Sequence, residues 1–305
     1  MRRPALHPAV FAALAFVIWG LMPLYFRQVA SVPALEVLLH RSAWSLVFLF
    51  GLLAWQRRFA WLGQVARQPR RVAMFAASSL LLAANWLIYI LAVRRGHVVE
   101  ASLGYFINPL VNVLLGVLVL RERLRPVQWV AVALAAAGVC WLGWLAGQPP
   151  WIALALAISF GIYGLMRKTA SLGALEGLAL ETLLLAPIVL PALLWWTWGH
   201  GGALASGDPG LVGWLLLAGP LTALPLLCFA AAARGLPLAT LGMVQYVSPT
   251  LTLLLGVWLF HEPFGGSRLI GFALIWAALA LVSADALGLS LPGRGGWSVS
   301  RWRHK

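Results

Sequence analysis

Residues 101–124 read ASLGYFINPLVNVLLGVLVLRERL, and residues 239–264 read ATLGMVQYVSPTLTLLLGVWLFHEPF. Each copy has a small-Leu-Gly start, a proline inside an apolar run, Leu-Leu-Gly-Val, and a glutamate at the far end. Pro109 pairs with Pro249, Gly116 with Gly256 and Glu122 with Glu262 at a constant offset of 140. Trp19-Gly20-Leu21-Met22 matches Tyr163-Gly164-Leu165-Met166, and Ala34-Leu35-Glu36 matches Ala174-Leu175-Glu176. The chain is a duplicated unit, and the number of membrane spans in each unit decides what the duplication means.

Composition places the unit in a bilayer. The 305 residues are 62% hydrophobic and 10% charged, with a mean hydropathy of +0.90. Soluble domains carry about 25% charged residues. Apolar stretches of about 20 residues, enough to cross the hydrocarbon as helices, recur at 9–28, 35–55, 72–93, 98–120, 127–146, 151–168, 175–197, 211–233, 238–260 and 267–287. The expected class is an all-α polytopic membrane protein of ten transmembrane helices. The first stretch follows Arg2 and Arg3, but it is long for a signal peptide and no small-x-small cleavage site follows it, so it reads as a retained span.

The formal charge of +14 belongs to the connections between spans. If the N-terminus and the even-numbered connections share a side with the tail, 17 of the 22 Lys and Arg residues fall there. Arg27, Arg94, Arg95 and Arg268 fall opposite, and Arg41 lies within a span. Cationic loops stay cytoplasmic, so both termini are expected in the cytoplasm. The charge is then a topology signal and not a nucleic-acid footprint. Five spans per unit is an odd number, so residues 8–146 and 151–287 form two inverted repeats, followed by a basic tail over 288–305. Inverted repeats are characteristic of secondary transporters, whose halves rock about a site near the midplane.

Polar groups inside spans mark candidate sites. Span two holds Glu36, His40 and Arg41, with Glu36 and His40 four residues apart on one helical face. Span three holds Asn85, Trp86 and Tyr89, an amide and a phenol beside an indole, suited to a polar head with an aromatic wall. Span four holds Glu100, Tyr105, Asn108, Pro109 and Asn112, and span nine holds Gln245, Tyr246 and Pro249. The two prolines read as matched helix interruptions, which in transporters point to the substrate path. Trp19 and Tyr163 are matched aromatics that suit a cavity wall. Glu36, His40, Glu100 and Glu181 are the titratable groups placed to carry a proton. Glu181 takes the slot of Arg41 at the offset of 140, so an Arg41–Glu181 pair across the halves is one expectation. Each position also has a structural reading: interhelical hydrogen bonds for the amides, an interfacial ion network for Glu36, a duplicated packing kink for the prolines, and a loop ion cluster with Arg121, Arg123 and Arg125 for Glu122.

Other chemistries find no support. Cys140 and Cys228 lack metal-ligand spacing. There is no Walker A run and no HExxH, so neither cofactor nor metal is expected. The partners expected are a small-molecule substrate, the lipid bilayer and protons.

Trp-Gly near the start, Leu39-His40-Arg41, Asn85-Trp86-x-x-Tyr89, and Glu-Ala-Ser-Leu-Gly-Tyr-Phe-Ile-Asn-Pro-Leu over 100–110 resemble RarD proteins. These belong to the EamA group of the drug/metabolite transporter superfamily. The resemblance implies ten helices in two EamA units, a central cavity lined mainly by spans one, three, four, six, eight and nine, and a bacterial inner membrane location. The expected function is a secondary transporter exporting small amphipathic metabolites, amino acids or drug-like compounds. The alternatives are a non-catalytic membrane scaffold or sensor and a polytopic membrane enzyme on lipid-linked substrates. For the enzyme, the eight acids are too scattered to form an interfacial cluster.

Overall fold

The computed structural model describes residues 7–95, 97–147, 150–259, 261 and 265–286, apart from the side chains at 93, 94, 98–100, 200 and 286. The basic tail and Glu262 lie outside the described residues, and so does the side chain of Glu100. The described residues contain helices and no strand. These are α1 (Pro8–Gln28), α2 (Ala34–Trp55), α3 (Ala60–Ala66), α4 (Pro69–Arg94), α5 (Val98–Leu118), α6 (Pro126–Ala146), α7 (Trp151–Thr169), α8 (Ala174–His200), α9 (Pro209–Gly235), α10 (Leu238–Gln245), α11 (Val247–Trp258) and α12 (Gly266–Ala286). Ten spans are long and apolar enough to cross a membrane, with α10 and α11 sharing one. The short α3, which the span pattern did not anticipate, lies in the connection after α2 and packs on α4.

Local chemistry sets the ends of these helices. Pro8, Pro126 and Pro209 open α1, α6 and α9, where a missing N–H costs nothing. Asp208 Oδ1 accepts from Gly210 N at 2.8 Å, and the Gln128 side chain accepts from Arg125 N at 2.9 Å. Gly147 (φ 72°) and Gly201 (φ 64°) end α6 and α8 in the left-handed region, which favours glycine.

The two matched prolines behave differently. α5 runs unbroken through Pro109, so the expected interruption is absent there. One proline removes a single helical hydrogen bond, and the remaining bonds carry the helix through. The second copy does break, at Tyr246, three residues before Pro249. Pro249 has no N–H for the Gln245 carbonyl, and this copy fits two extra residues between its Leu-Gly and its proline.

Packing couples distant parts of the chain. α1 packs on α9 and α11, and α7 packs on α4 and α5. α2 packs on α9, and α8 on α4; α2 also meets α8, α5 meets α10, and α6 meets α12. Exchanging each span with the one five places further along maps this set of contacts onto itself. Phe16, Leu49, Leu53, Phe229, Leu238 and Leu241 fill the main core between α1, α2, α9 and α10. α6 and α12 form a separate layer with α5, closed by Ala131, Ala135, Ile275 and Ala278.

Small residues let backbones approach where helices cross. A Cβ on Gly242 would lie 2.6 Å from the Pro109 carbonyl oxygen, and one on Gly138 would lie 2.6 Å from that of Gly271. A Cβ on Gly219 of α9 would collide with the Trp44 backbone of α2, whereas Gly213 has open space. Gly219→Val is expected to destabilise the detergent-solubilised protein by about 1–3 kcal/mol, with Gly213→Val close to wild type. Thermal midpoints from fluorescence-detected size exclusion check this, and equal losses would remove the close-approach account.

Candidate functional site

Arg41 is the eighth residue of α2, about 10 Å along the helix axis from its start. Its Nε donates to Thr222 Oγ1 of α9 at 2.9 Å. Its guanidinium carbon lies 5.4 Å from the Trp86 ring centre and 5.7 Å from that of Phe26, within cation–π range. The phenols of Tyr25, Tyr89 and Tyr105 are all within electrostatic range of the guanidinium. Tyr89 and Tyr105 meet edge to face at 6.0 Å, and Tyr105 keeps 50% of its surface accessible. Arg41, Trp86, Tyr89 and Tyr105 lie near one another in the structure. Thr222 completes the cluster and was not anticipated; its only sequence signal is a lone hydroxyl between Pro220 and Pro225 in an apolar span.

His40 faces elsewhere, because one helical step turns it 100° from Arg41. Its Nδ1 accepts from Trp44 Nε1 at 3.2 Å, and its Nε2 lies 3.7 Å from Glu36 Oε1. The Glu36 carboxylate accepts from Trp196 Nε1 at 3.1 Å and from the backbone N–H of Ala203. This pair ties α2 to the α8–α9 connection.

Arg41 and Glu181 do not pair. Glu181 accepts from Ser78 at 2.6 Å and from Tyr163 at 3.3 Å, and lies 3.5 Å from Arg167 Nη1. Arg167 is fully buried. It also donates to the Ala174 carbonyl at 3.1 Å and sits 5.8 Å from the Phe75 ring centre. Counted by sequence as a loop cation, it is the internal counter-ion of Glu181. Gly177 provides its space, since a Cβ there would strike the guanidinium. Glu181, Ser79, Trp86 and Thr222 also line a narrow, mostly apolar crevice between α2, α4, α8 and α9.

The remaining candidates divide. Trp19 and Tyr163 join one aromatic cluster through Phe160 and Phe229. Asn112 Nδ2 donates to Gln245 Oε1 at 2.8 Å, bridging α5 and α10. Asn108 is buried beside it along α5, and its Oδ1 has no hydrogen-bond partner. Asn85 donates to the Leu156 carbonyl at 2.9 Å and to Ser159 at 2.8 Å, an interhelical link. Tyr246 is fully buried in the layer formed with α6 and α12, away from Arg41.

The end of the bundle opposite Arg41 is held shut by charges on backbone groups. Glu122, read from sequence as part of a loop cluster, accepts instead from the N–H groups of Leu238 at 2.7 Å and Ala239 at 2.9 Å. These open α10, where the helix dipole favours an anion. Lys168 lies 3.6 Å from Glu122 and donates to the carbonyls of Ala233 and Leu236. Arg234 donates to the Leu172 carbonyl, and Arg58 pairs with Glu176. Among the described residues no group of His, Cys, Asp and Glu could hold a metal ion.

The EamA-like transporter family matches residues 7–144 and again residues 150–284. An uncharacterized transporter of Pseudomonas aeruginosa, PA0485, is 50% identical over 277 residues, covering 91% of this chain and 93% of its own. Protein RarD of Escherichia coli is 43% identical over 278 residues, covering 91% and 94%. A solved protein structure 19% identical in sequence matches with a TM-score of 0.70, covering 90% of this chain and 97% of its own, a likeness of fold alone.

Two outcomes follow from the buried charges. Arg167→Met should cost about 3–5 kcal/mol by leaving Glu181 unpaired, and adding Glu181→Leu should recover part of the loss. Thermal midpoints decide it; a double variant no better than the single would exclude the pairing. Glu122→Ala should speed amide hydrogen exchange over 238–245 while leaving α12 unchanged. Unaltered exchange there would show that the carboxylate does not hold the α10 terminus.

Proposed function

Because the chain belongs to the EamA-like transporter family, we propose that it is a secondary transporter. It exports small amphipathic metabolites, amino acids or drug-like compounds, by alternating access of two inverted five-span halves. The observation that carries this reading is an asymmetry along the bundle. At one end Arg41, Trp86, Tyr89 and the accessible Tyr105 form a polar centre with aromatic walls. At the other end Glu122 joins the first half to Lys168 and α10 of the second, Arg58 joins it to Glu176, and Lys168 and Arg234 brace connections of the second half. A route open toward one end and latched at the other is what one state of an alternating-access cycle requires.

The span exchange seen in the packing supports two equivalent halves. The bias of Lys and Arg toward the latched end supports a bacterial inner membrane orientation with both termini cytoplasmic. Opening that latch would admit substrate from the cytoplasm, and the Arg41 end would release it. Glu181 is the acid best placed to carry a proton, since it lines the crevice and already exchanges hydrogen bonds with Ser78 and Tyr163.

The test is flux in proteoliposomes of the full chain, using a panel of metabolites with and without a pH gradient. Substrate movement accelerated by the gradient and insensitive to it in Glu181→Gln is the expected result. Flux that ignores the gradient in both proteins removes the coupling, and no flux for any compound favours the scaffold reading.

A further inference from the structure

A guanidinium inside a membrane span needs an anion, because an uncompensated charge there is costly. Among the described residues Arg41 has none. Its hydrogen bond goes to the neutral hydroxyl of Thr222, and its ring contacts are with Trp86 and Phe26. Two described acids within spans are committed elsewhere: Glu36 to Trp196, Ala203 and His40, and Glu181 to Arg167, Ser78 and Tyr163. Contrast Arg167, which is fully buried and has its carboxylate. Among the described residues, one of these two internal arginines has a carboxylate and the other has not, and that difference asks for an external partner.

The geometry narrows that partner. Thr222 occupies the Nε position, which leaves the edge between the two Nη groups, a planar pair of donors matched to two oxygens. Trp86 and Phe26 stand against the guanidinium, and Tyr89 and Tyr105 supply phenol donors and aromatic surface around it. Tyr105 keeps half of its surface accessible beside this group.

We propose that Arg41 is the anchor for a carboxylate on the substrate, so that the transported class is small carboxylates with an apolar or aromatic body. This rests on the transporter reading for its physiological meaning. A phosphate could engage the same donors, but two oxygens in one plane fit the open edge, and the aromatic walls suit a flat, apolar body. Arg41 also lies about 10 Å along α2 from its end, deeper than a lipid headgroup held at the interface.

The test is equilibrium binding to the full chain in lipid nanodiscs, using matched pairs that differ only in charge: benzoate and benzamide, phenylacetate and phenylacetamide, indole-3-acetate and indole-3-acetamide. Inorganic phosphate and soluble short-chain phosphatidylglycerol are competitors. At least one carboxylate should bind tighter than its amide by tenfold or more, about the value of one charge-assisted contact. Arg41→Gln should abolish that preference, and Arg41→Lys, which keeps the charge without the fork, should retain part of it. Thr222→Val should weaken binding severalfold in a folded protein, which guards against misfolding of the Arg41 variants. No preference for any carboxylate, a preference that survives Arg41→Gln, or Arg41-dependent binding of phosphate or phosphatidylglycerol above every carboxylate would each overturn the proposal. Flux of neutral or cationic compounds with no carboxylate preference would reject the anchor and keep the transporter. Arg41-dependent carboxylate binding without flux would do the reverse.

Discussion

In a bilayer every backbone N–H and C=O must find a partner within the protein, and a helix leaves four of each unmet at its ends. Several of this chain's charged side chains meet groups at those ends. Glu122 satisfies the first N–H groups of α10, and Glu36 the N–H of Ala203 before α9. Lys168 and Arg234 satisfy carbonyls near the ends of α9 and α7. Several of these contacts join segments more than 60 residues apart in sequence. The bonds of Glu122 to α10 and of Glu36 to Ala203 also join the first half of the chain to the second, whereas those of Lys168 and Arg234 to carbonyls lie within the second.

Arg41 stands out against this background. Among the described residues the buried charges of Glu36, Arg167, Glu176 and Glu181 have charged or hydrogen-bonding partners. Arg41 has a hydroxyl and rings, which orient it without neutralising it. His40, its neighbour in sequence, is fully buried in an acid-bearing contact. One turn of 100° separates a structural ion contact from a candidate substrate group.

The spans were readable from sequence because length and apolarity suffice to define a membrane helix, and because Pro8, Pro126, Pro209, Gly147 and Gly201 mark helix ends chemically. Partner choice was not readable. Asn85 and Asn112 carry the same amide, yet one joins α4 to α7 and the other α5 to α10. Tyr246 sits in a run that matches span four, but the two extra residues before Pro249 turn it into the α6–α12 layer. Arg167 looked like a topology charge because sequence does not show that the chain folds back over it and that Gly177 leaves room. Periodicity offered no help, since helices surrounded by lipid and protein are apolar all round.

The break at Tyr246 has a mechanical consequence. Span four is a single rod, its helix continuous through Pro109 despite the one hydrogen bond that proline removes. Span nine is two shorter rods, of 8 and 12 residues, meeting at a joint where the ladder lapses. A rod resists bending along its whole length, whereas a jointed one yields at a single place. The short rod α10 is the one gripped by Glu122 and crossed closely by α5 at Gly242. α11 packs on α1 while α10 packs on α5, so the two copies of one duplicated unit meet their neighbours with unequal stiffness: the joint lies in the second.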